Sequence, residues 1–355
     1  MSQYWSEVVH GLTPYVPGEQ PRIDGLVKLN TNECPYGPSD AVIQAIARHN
    51  SEELRLYPDP QASSLVSAIA KHHGLSEKRV FVGNGSDEVL AHVFMGLLKH
   101  SAPLLAPDIS YSFYPVYAKL YGINLRELAL GTDFEIRVDD YLNAGPNGGI
   151  IFPNPNAPTG MALPLSDIER LLANNTQSVV VVDEAYVDFG TDSAAALIDR
   201  YPQLLVVRTL SKSRALAGLR VGYALGQAHL IEALTRIKDS FNSYPLDRLA
   251  IVGAVAAMED VAWFEHTRDR IMATRERMAT ALCHRGFEVL PSRANFVLAR
   301  KPGYAGAALA KALREKRVLV RNFSKPERIA DFLRITVGTD AQLDALLLAI
   351  DSVLA

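Results

Sequence analysis

Lys212 closes the run Thr209-Leu210-Ser211-Lys212, just after the β-rich segment Leu205 to Val207, and Arg220 follows eight residues on. A lysine amine can form a Schiff base with an aldehyde. Neighbouring hydroxyls, backbone N–H groups and a guanidinium can hold a phosphate. Together they are what a covalently held, phosphorylated aldehyde requires, although Ser-Lys in a turn is also what an ordinary solvated loop contains. A free lysine, with a pKa of about 10.4, is a poor nucleophile at neutral pH. Burial beside another cation such as Arg220 would lower that value.

Asp183 stands at the end of the apolar run Val179 to Val182, with Tyr186 three residues on. An acid in that position can serve a nucleotide's magnesium, cap the next turn, or face a pyridine nitrogen. In the last case it keeps the nitrogen protonated and the ring an electron sink, and Tyr186 can hydrogen-bond the ring's phenolic oxygen. The nucleotide reading needs a glycine-rich loop ending in Gly-Lys, a dipeptide this chain lacks. Gly83-Asn84-Gly85-Ser86-Asp87-Glu88 lies between a short β run and a helical one. A strand, a glycine turn and a helix can offer free N–H groups to a phosphate, or simply connect two elements. In Phe332 to Val337, strand alternation puts Leu333, Ile335 and Val337 on one face and Arg334 and Thr336 on the other. An arginine there can take an anion bidentately from a cleft, or form a structural ion pair. The same two readings hold for Arg321 at the end of its own strand.

These residues need a scaffold of some size. The chain has 355 residues, too many for one small core, so a large and a smaller domain are expected. Lys plus Arg number 36 and Asp plus Glu 39, a formal charge of −3, without a long basic tract, so nucleic acid is not an expected partner. Cys34 and Cys283 lie far apart and no CxxC or HExxH occurs, so neither a zinc site nor disulfide dependence is expected. The N-terminal MSQYWSEVVHGLTPY has no secretion-signal pattern, and the longest apolar runs are about half a membrane span. Both points lead to an expected cytoplasmic location.

Residues 1–40 are rich in Pro, Gly and Asn and read as an arm. Residues 41–245 alternate short strands with helices: Val80 to Val82, Pro103 to Ala106, Leu125 to Leu128, Gly149 to Phe152, Ser178 to Val182, Leu204 to Val207 and Val221 to Leu225 are the expected strands. That rhythm predicts a mainly parallel α/β sheet covered on both faces, with ligands at the carboxyl ends of its strands. Past Tyr244-Pro245 the pattern becomes a long helical region, Asp247 to Arg285, then strands and helices of a smaller α+β domain, 246–355.

Asn156-Ala157-Pro158-Thr159-Gly160, Asp183-Glu184-Ala185-Tyr186, Thr209-Leu210-Ser211-Lys212 and Ala217-Gly218-Leu219-Arg220 resemble the corresponding blocks of fold-type I, pyridoxal-phosphate-dependent aminotransferases. Further blocks are Leu12 to Tyr15, Leu29 to Glu33, Tyr57-Pro58, Gly85 to Glu88 and Leu333 to Gly338. They are most similar to the branch acting on histidinol phosphate.

The resemblance implies a seven-stranded, mainly parallel sheet in the large domain and a homodimer with shared active sites. Lys212 would carry the Schiff base to pyridoxal 5'-phosphate and move the substrate proton. Asp183 would pair with the pyridine nitrogen, Tyr186 with the phenolic oxygen, and Tyr111 would stack on the ring. Gly85, Ser86, Asp87, Thr209, Ser211 and Arg220 would surround the cofactor phosphate, and Tyr57 would reach the partner subunit's cofactor. Tyr15, Asn32, Arg321 and Arg334 would bind substrate. The implied reaction is a ping-pong exchange of histidinol phosphate and 2-oxoglutarate with imidazole acetol phosphate and glutamate. The alternatives are an aromatic amino acid aminotransferase and a threonine-phosphate decarboxylase of the same fold. One departure stands out. The family often has Asn directly before Pro-Thr-Gly, bonding the phenolic oxygen, and this chain has Ala157. Asn156 or Asn154 takes that role, or Tyr186 acts without it.

Overall fold

The computed structural model describes residues 2–15, 17–21 and 23–355. Its strands in chain order are β1 (Val27–Leu29), β2 (Val80–Asn84), β3 (Leu104–Pro107), β4 (Leu125–Leu128), β5 (Gly149–Pro153), β6 (Val180–Asp183), β7 (Leu204–Thr209), β8 (Val221–Gly226), β9 (Glu288–Val289), β10 (Phe296–Arg300), β11 (Val318–Asn322) and β12 (Phe332–Thr336). Two sheets result: seven strands in the order β2-β8-β7-β6-β5-β3-β4, and five in the order β1-β11-β12-β10-β9. In the larger sheet only β8 runs antiparallel to its neighbours.

The apolar runs explain the large sheet. In β5, β6 and β7 every residue is buried, because helices cover both faces. Alternate residues therefore feed two cores. Val180, Val182 and Val206 pack on one side and Val181, Leu205 and Val207 on the other. Because β3, β5, β6 and β7 run parallel, the loops that follow them lie at one edge of the sheet, and the functional residues stand there.

Two elements depart from the sequence reading. The stretch read as an arm contains β1, which pairs in parallel with β11 in the register Val27↔Val318 and buries Leu29 in the small core. A three-residue strand among turn residues leaves too little periodicity to be read. The helical region expected over Asp247 to Arg285 is two helices, Arg248–Glu259 and Val261–His284. Asp260 has non-helical backbone, and its carboxylate accepts from the Trp263 amide at 3.2 Å, capping the second helix. The first helix packs Ala250, Ile251, Ala254 and Ala257 into the large sheet's core, although it lies beyond Tyr244-Pro245.

Candidate active site

At the end of β7 the chain turns sharply. The Ser211 amide donates to Thr209 Oγ1 at 3.1 Å, and the Leu210 amide to the Val221 carbonyl at 3.0 Å. The turn aims Lys212 toward the seam between the two sheets. Its ammonium donates to the Thr31 carbonyl at 3.4 Å and lies 5.7 Å from the centre of the Tyr186 ring. The Tyr186 hydroxyl accepts from Asn32 Nδ2 at 3.1 Å, which leaves its own proton available. Asn32 is buried in the left-handed region at φ 55° and is clamped by Thr336 and Asn295.

Asp183 ends β6 with 4% of its surface exposed. It accepts from the Tyr114 hydroxyl at 2.9 Å and from the Ala185 amide at 3.2 Å. Burial pushes its pKa up to about 6, against the pull of those two donors. Among the described residues no cation pairs with it. Tyr114 was not singled out in the sequence. A tyrosine inside a helix reads as core, and the only signal was its spacing of three from Tyr111.

A second cluster surrounds the start of the helix Gly85–Leu97, whose first N–H groups have no partner within the helix. Arg220 reaches Asp87 Oδ2 at 3.0 Å, the Tyr111 hydroxyl donates to Asp87 Oδ1 at 2.7 Å, and Tyr117 donates to the Asp87 carbonyl at 2.7 Å. The approach is close. A Cβ at Gly222 would lie 2.3 Å from the Ser86 nitrogen, and one at Gly85 would lie 2.5 Å from the Arg220 guanidinium. With Thr209 and Ser211 hydrogen-bonded to each other at 3.0 Å across β7 and its turn, these groups form a cup of backbone N–H, hydroxyl and guanidinium.

The anion end is built from the small sheet. Arg321 of β11 and Arg334 of β12 are direct cross-strand neighbours. Arg334 donates to the Asn30 carbonyl at 2.9 Å and lies 5.5 Å from the ring centres of both Phe296 and Phe323. Its Nε is buried without a partner. Burial, and the neighbouring Arg321, lower its pKa. Among the described residues no carboxylate pairs with either arginine. Lys212, Tyr186, Tyr111, Tyr15, Asn32, Arg321 and Arg334 line one cavity of about 540 Å³.

Other expected positions lie apart. Tyr57 is 81% exposed and stacks on Tyr244 at 4.8 Å, away from the cavity wall. Ala157 lines the cavity, whereas Asn156 is buried behind it. The Asn156 amide donates to the Ile109 carbonyl, in the loop after β3, and to Thr159 Oγ1 in its own loop, so both of its N–H bonds are committed. Asn154 is tied at both ends to Leu163. Asn156 therefore has no hydrogen left for a phenolic oxygen, and Asn154, fully buried, is not part of the cavity wall. Tyr186, held by Asn32, lines the cavity with its own proton available.

Residues 24–350 match the family described as aminotransferase class I and II. Histidinol-phosphate aminotransferase 2 of Thiobacillus denitrificans is 65% identical over 97% of this chain and 96% of its own length. Histidinol-phosphate aminotransferase of Aromatoleum aromaticum is 63% identical over 100% of both chains. Among solved structures, histidinol-phosphate aminotransferase from Sinorhizobium meliloti, in complex with pyridoxal-5'-phosphate, superposes with a TM-score of 0.87. It shares 24% identity, covering 100% of this chain and 98% of that one. L-threonine-O-3-phosphate decarboxylase from Porphyromonas gingivalis also shares the fold, at a TM-score of 0.80 and 24% identity over 93% of this chain and 99% of that one.

Proposed function

The chain belongs to the class I and II aminotransferases, and from that footing we propose that it exchanges an amino group between histidinol phosphate and 2-oxoglutarate, with pyridoxal 5'-phosphate as cofactor. The observation that carries the substrate reading is the pair Arg321 and Arg334. Two guanidinium groups without carboxylate partners, on adjacent strands of one cavity with Lys212, suit substrates that are all anionic. A fork of N–H donors accepts a carboxylate in one half-reaction and a phosphate monoester in the other. High identity to chains bearing the histidinol-phosphate name supports the same choice over the aromatic and decarboxylating alternatives.

The residues also fit the cofactor. Asp183 is a buried carboxylate awaiting a cation, the first turn of Gly85–Leu97 offers amides, and Arg220 supplies charge for a phosphate. When bound, pyridoxal phosphate supplies an aldehyde and an electron-accepting ring. Lys212 would be the amine for that aldehyde, and the base that takes the proton from the substrate's α-carbon and delivers it to the former aldehyde carbon. Asp183, held by Tyr114, keeps a proton on the ring nitrogen. Tyr186 donates to the phenolic oxygen, and Asn32 fixes the direction of its hydroxyl. Tyr111 is held by Asp87 against one ring face. Ser86, Asp87, Thr209, Ser211 and Arg220 hold the phosphate, with Gly85 admitting the guanidinium. Tyr15 and Asn32 close the substrate end beside the two arginines. Asn156 acts as loop scaffold.

We further propose a homodimer. Tyr57 is solvent-facing in one chain and stacks on the exposed Tyr244, and the segments that carry them also expose Leu54, Leu56 and Phe241, so a second copy is its fitting partner. Light scattering should then give twice 38.8 kDa. The function is tested by assaying histidinol phosphate, phenylalanine and threonine phosphate side by side with 2-oxoglutarate. The expected result is glutamate formation with kcat/KM for histidinol phosphate about a hundredfold above phenylalanine, and no carbon dioxide. A preference for phenylalanine, or carbon dioxide from threonine phosphate, would overturn it.

A further inference from the structure

Asp183 and Lys212 are each followed by a residue that points away from the cavity. The chain immediately after Asp183 is Glu184, and after Lys212 is Ser213. Both successors are buried, at 2% and 1% exposure, and both turn toward a single ion pair on the far side of the sheet edge. That pair is Arg208 of β7 with Asp188, in the short turn Val187–Phe189. Ser213 Oγ donates to Asp188 Oδ2, while Arg208 NH2 donates to Asp188 Oδ1. Glu184 Oε2 lies 3.9 Å from Arg208 Nε, and the Glu184 carboxylate also accepts from Ser193 Oγ and the Ala194 amide, each at 2.6 Å. Arg214, next in the chain, extends the tie: it donates to the Ala257 carbonyl at 2.6 Å and stacks at 3.7 Å on Phe264.

The arrangement has a mechanical consequence. Asp183 ends β6 in register with Val207 of β7, and Lys212 lies on the turn after β7; no contact between their own side chains fixes their separation. Their successors are fixed, because both engage the Arg208–Asp188 pair. Arg208 is buried and Asp188 partly so, and each carboxylate oxygen of Asp188 has a donor, so the pair resists displacement: breaking it leaves a charge uncompensated.

We infer that Asp188 and Arg208 are positioning residues that set the spacing between Asp183 and Lys212, with Glu184 and Ser213 as the two arms. This rests on the roles proposed above for Asp183 and Lys212. A catalytic amine displaced by about 1 Å can lose about a hundredfold in rate without losing substrate affinity. The arms therefore act on the chemical step and on the setting of the cofactor, whereas Arg321 and Arg334 act on substrate binding.

The test uses full-length protein loaded with pyridoxal phosphate, comparing wild type with Ser213→Ala and Asp188→Asn. Three quantities are read: the visible circular dichroism of the bound cofactor, and kcat and KM for the glutamate half-reaction. Ser213→Ala should lower kcat about tenfold and Asp188→Asn about a hundredfold, with KM for glutamate within about twofold of wild type. Both should weaken the visible dichroism. A Ser213→Ala protein with wild-type kcat and dichroism would overturn the inference. Ser213→Ala removes only one hydroxyl, so it decides the matter even where Asp188→Asn does not fold. A wild-type protein that shows no visible cofactor band would instead overturn the roles of Lys212 and Asp183, and this inference with them.

Discussion

At the scale of single residues, the strongest signal is a charge without a counter-charge. Burying a guanidinium with neither a carboxylate nor a full set of acceptors costs stability. Arg334, half-buried at the cavity wall, carries that cost at its Nε, which is buried and unpaired, and burial lowers its pKa. Such a cost persists where an anion arrives to offset it. Replacing Arg334 by Met, a side chain of similar length and no charge, should raise KM for glutamate and for histidinol phosphate at least about tenfold. It should leave the melting temperature of the free protein unchanged or higher. An unchanged KM, or a fall of several degrees, would count against the assignment.

Lys212, Asp183, Tyr186 and Arg334 were all legible in the sequence as polar groups bordering apolar strands. Tyr114 was not, because its partner Asp183 is brought to it by tertiary packing. The choice among Asn154, Asn156 and Tyr186 could not be made from sequence either. It depends on where each amide hydrogen goes.

At the scale of elements, the site depends on how closely β8 approaches the start of the helix Gly85–Leu97. Gly222 makes that approach possible, since any Cβ would sit 2.3 Å from the Ser86 nitrogen. Gly222→Ala should push the strand and the helix start apart. Its affinity for pyridoxal phosphate, followed by equilibrium titration, should fall at least about tenfold, with a lowered melting temperature. Wild-type affinity would show that the helix start is not the phosphate cup. The strands of the large sheet were legible because burial on both faces demands unbroken β-branched runs such as Val179 to Val182. β1 was hidden, because parallel pairing with a strand nearly 300 residues away leaves no local trace.

At the scale of the whole molecule, the cavity lies between the two sheets. The large one supplies Lys212, and the small one supplies the arginines. A shared apolar cluster joins them: Ile109, Leu130 and Phe134 from one side pack with Leu298, Ile329 and Phe332 from the other. Their relative position, on which the distance from amine to anion site depends, was not legible in any local pattern. Nor was the attachment of the helix Arg248–Glu259 to the large core. The order of the motifs along the chain was legible, and it identified the family that the comparisons bear out.

The central claim is that Lys212 is the amine that receives the cofactor. Purified protein is loaded with pyridoxal phosphate, reduced with borohydride, digested and analysed by mass spectrometry. The account predicts loss of a visible absorption band on reduction and a single pyridoxyl-phosphate label on the peptide carrying Lys212. It also predicts neither band nor turnover in Lys212→Ala. A label spread over other lysines, or full activity in Lys212→Ala, would contradict it.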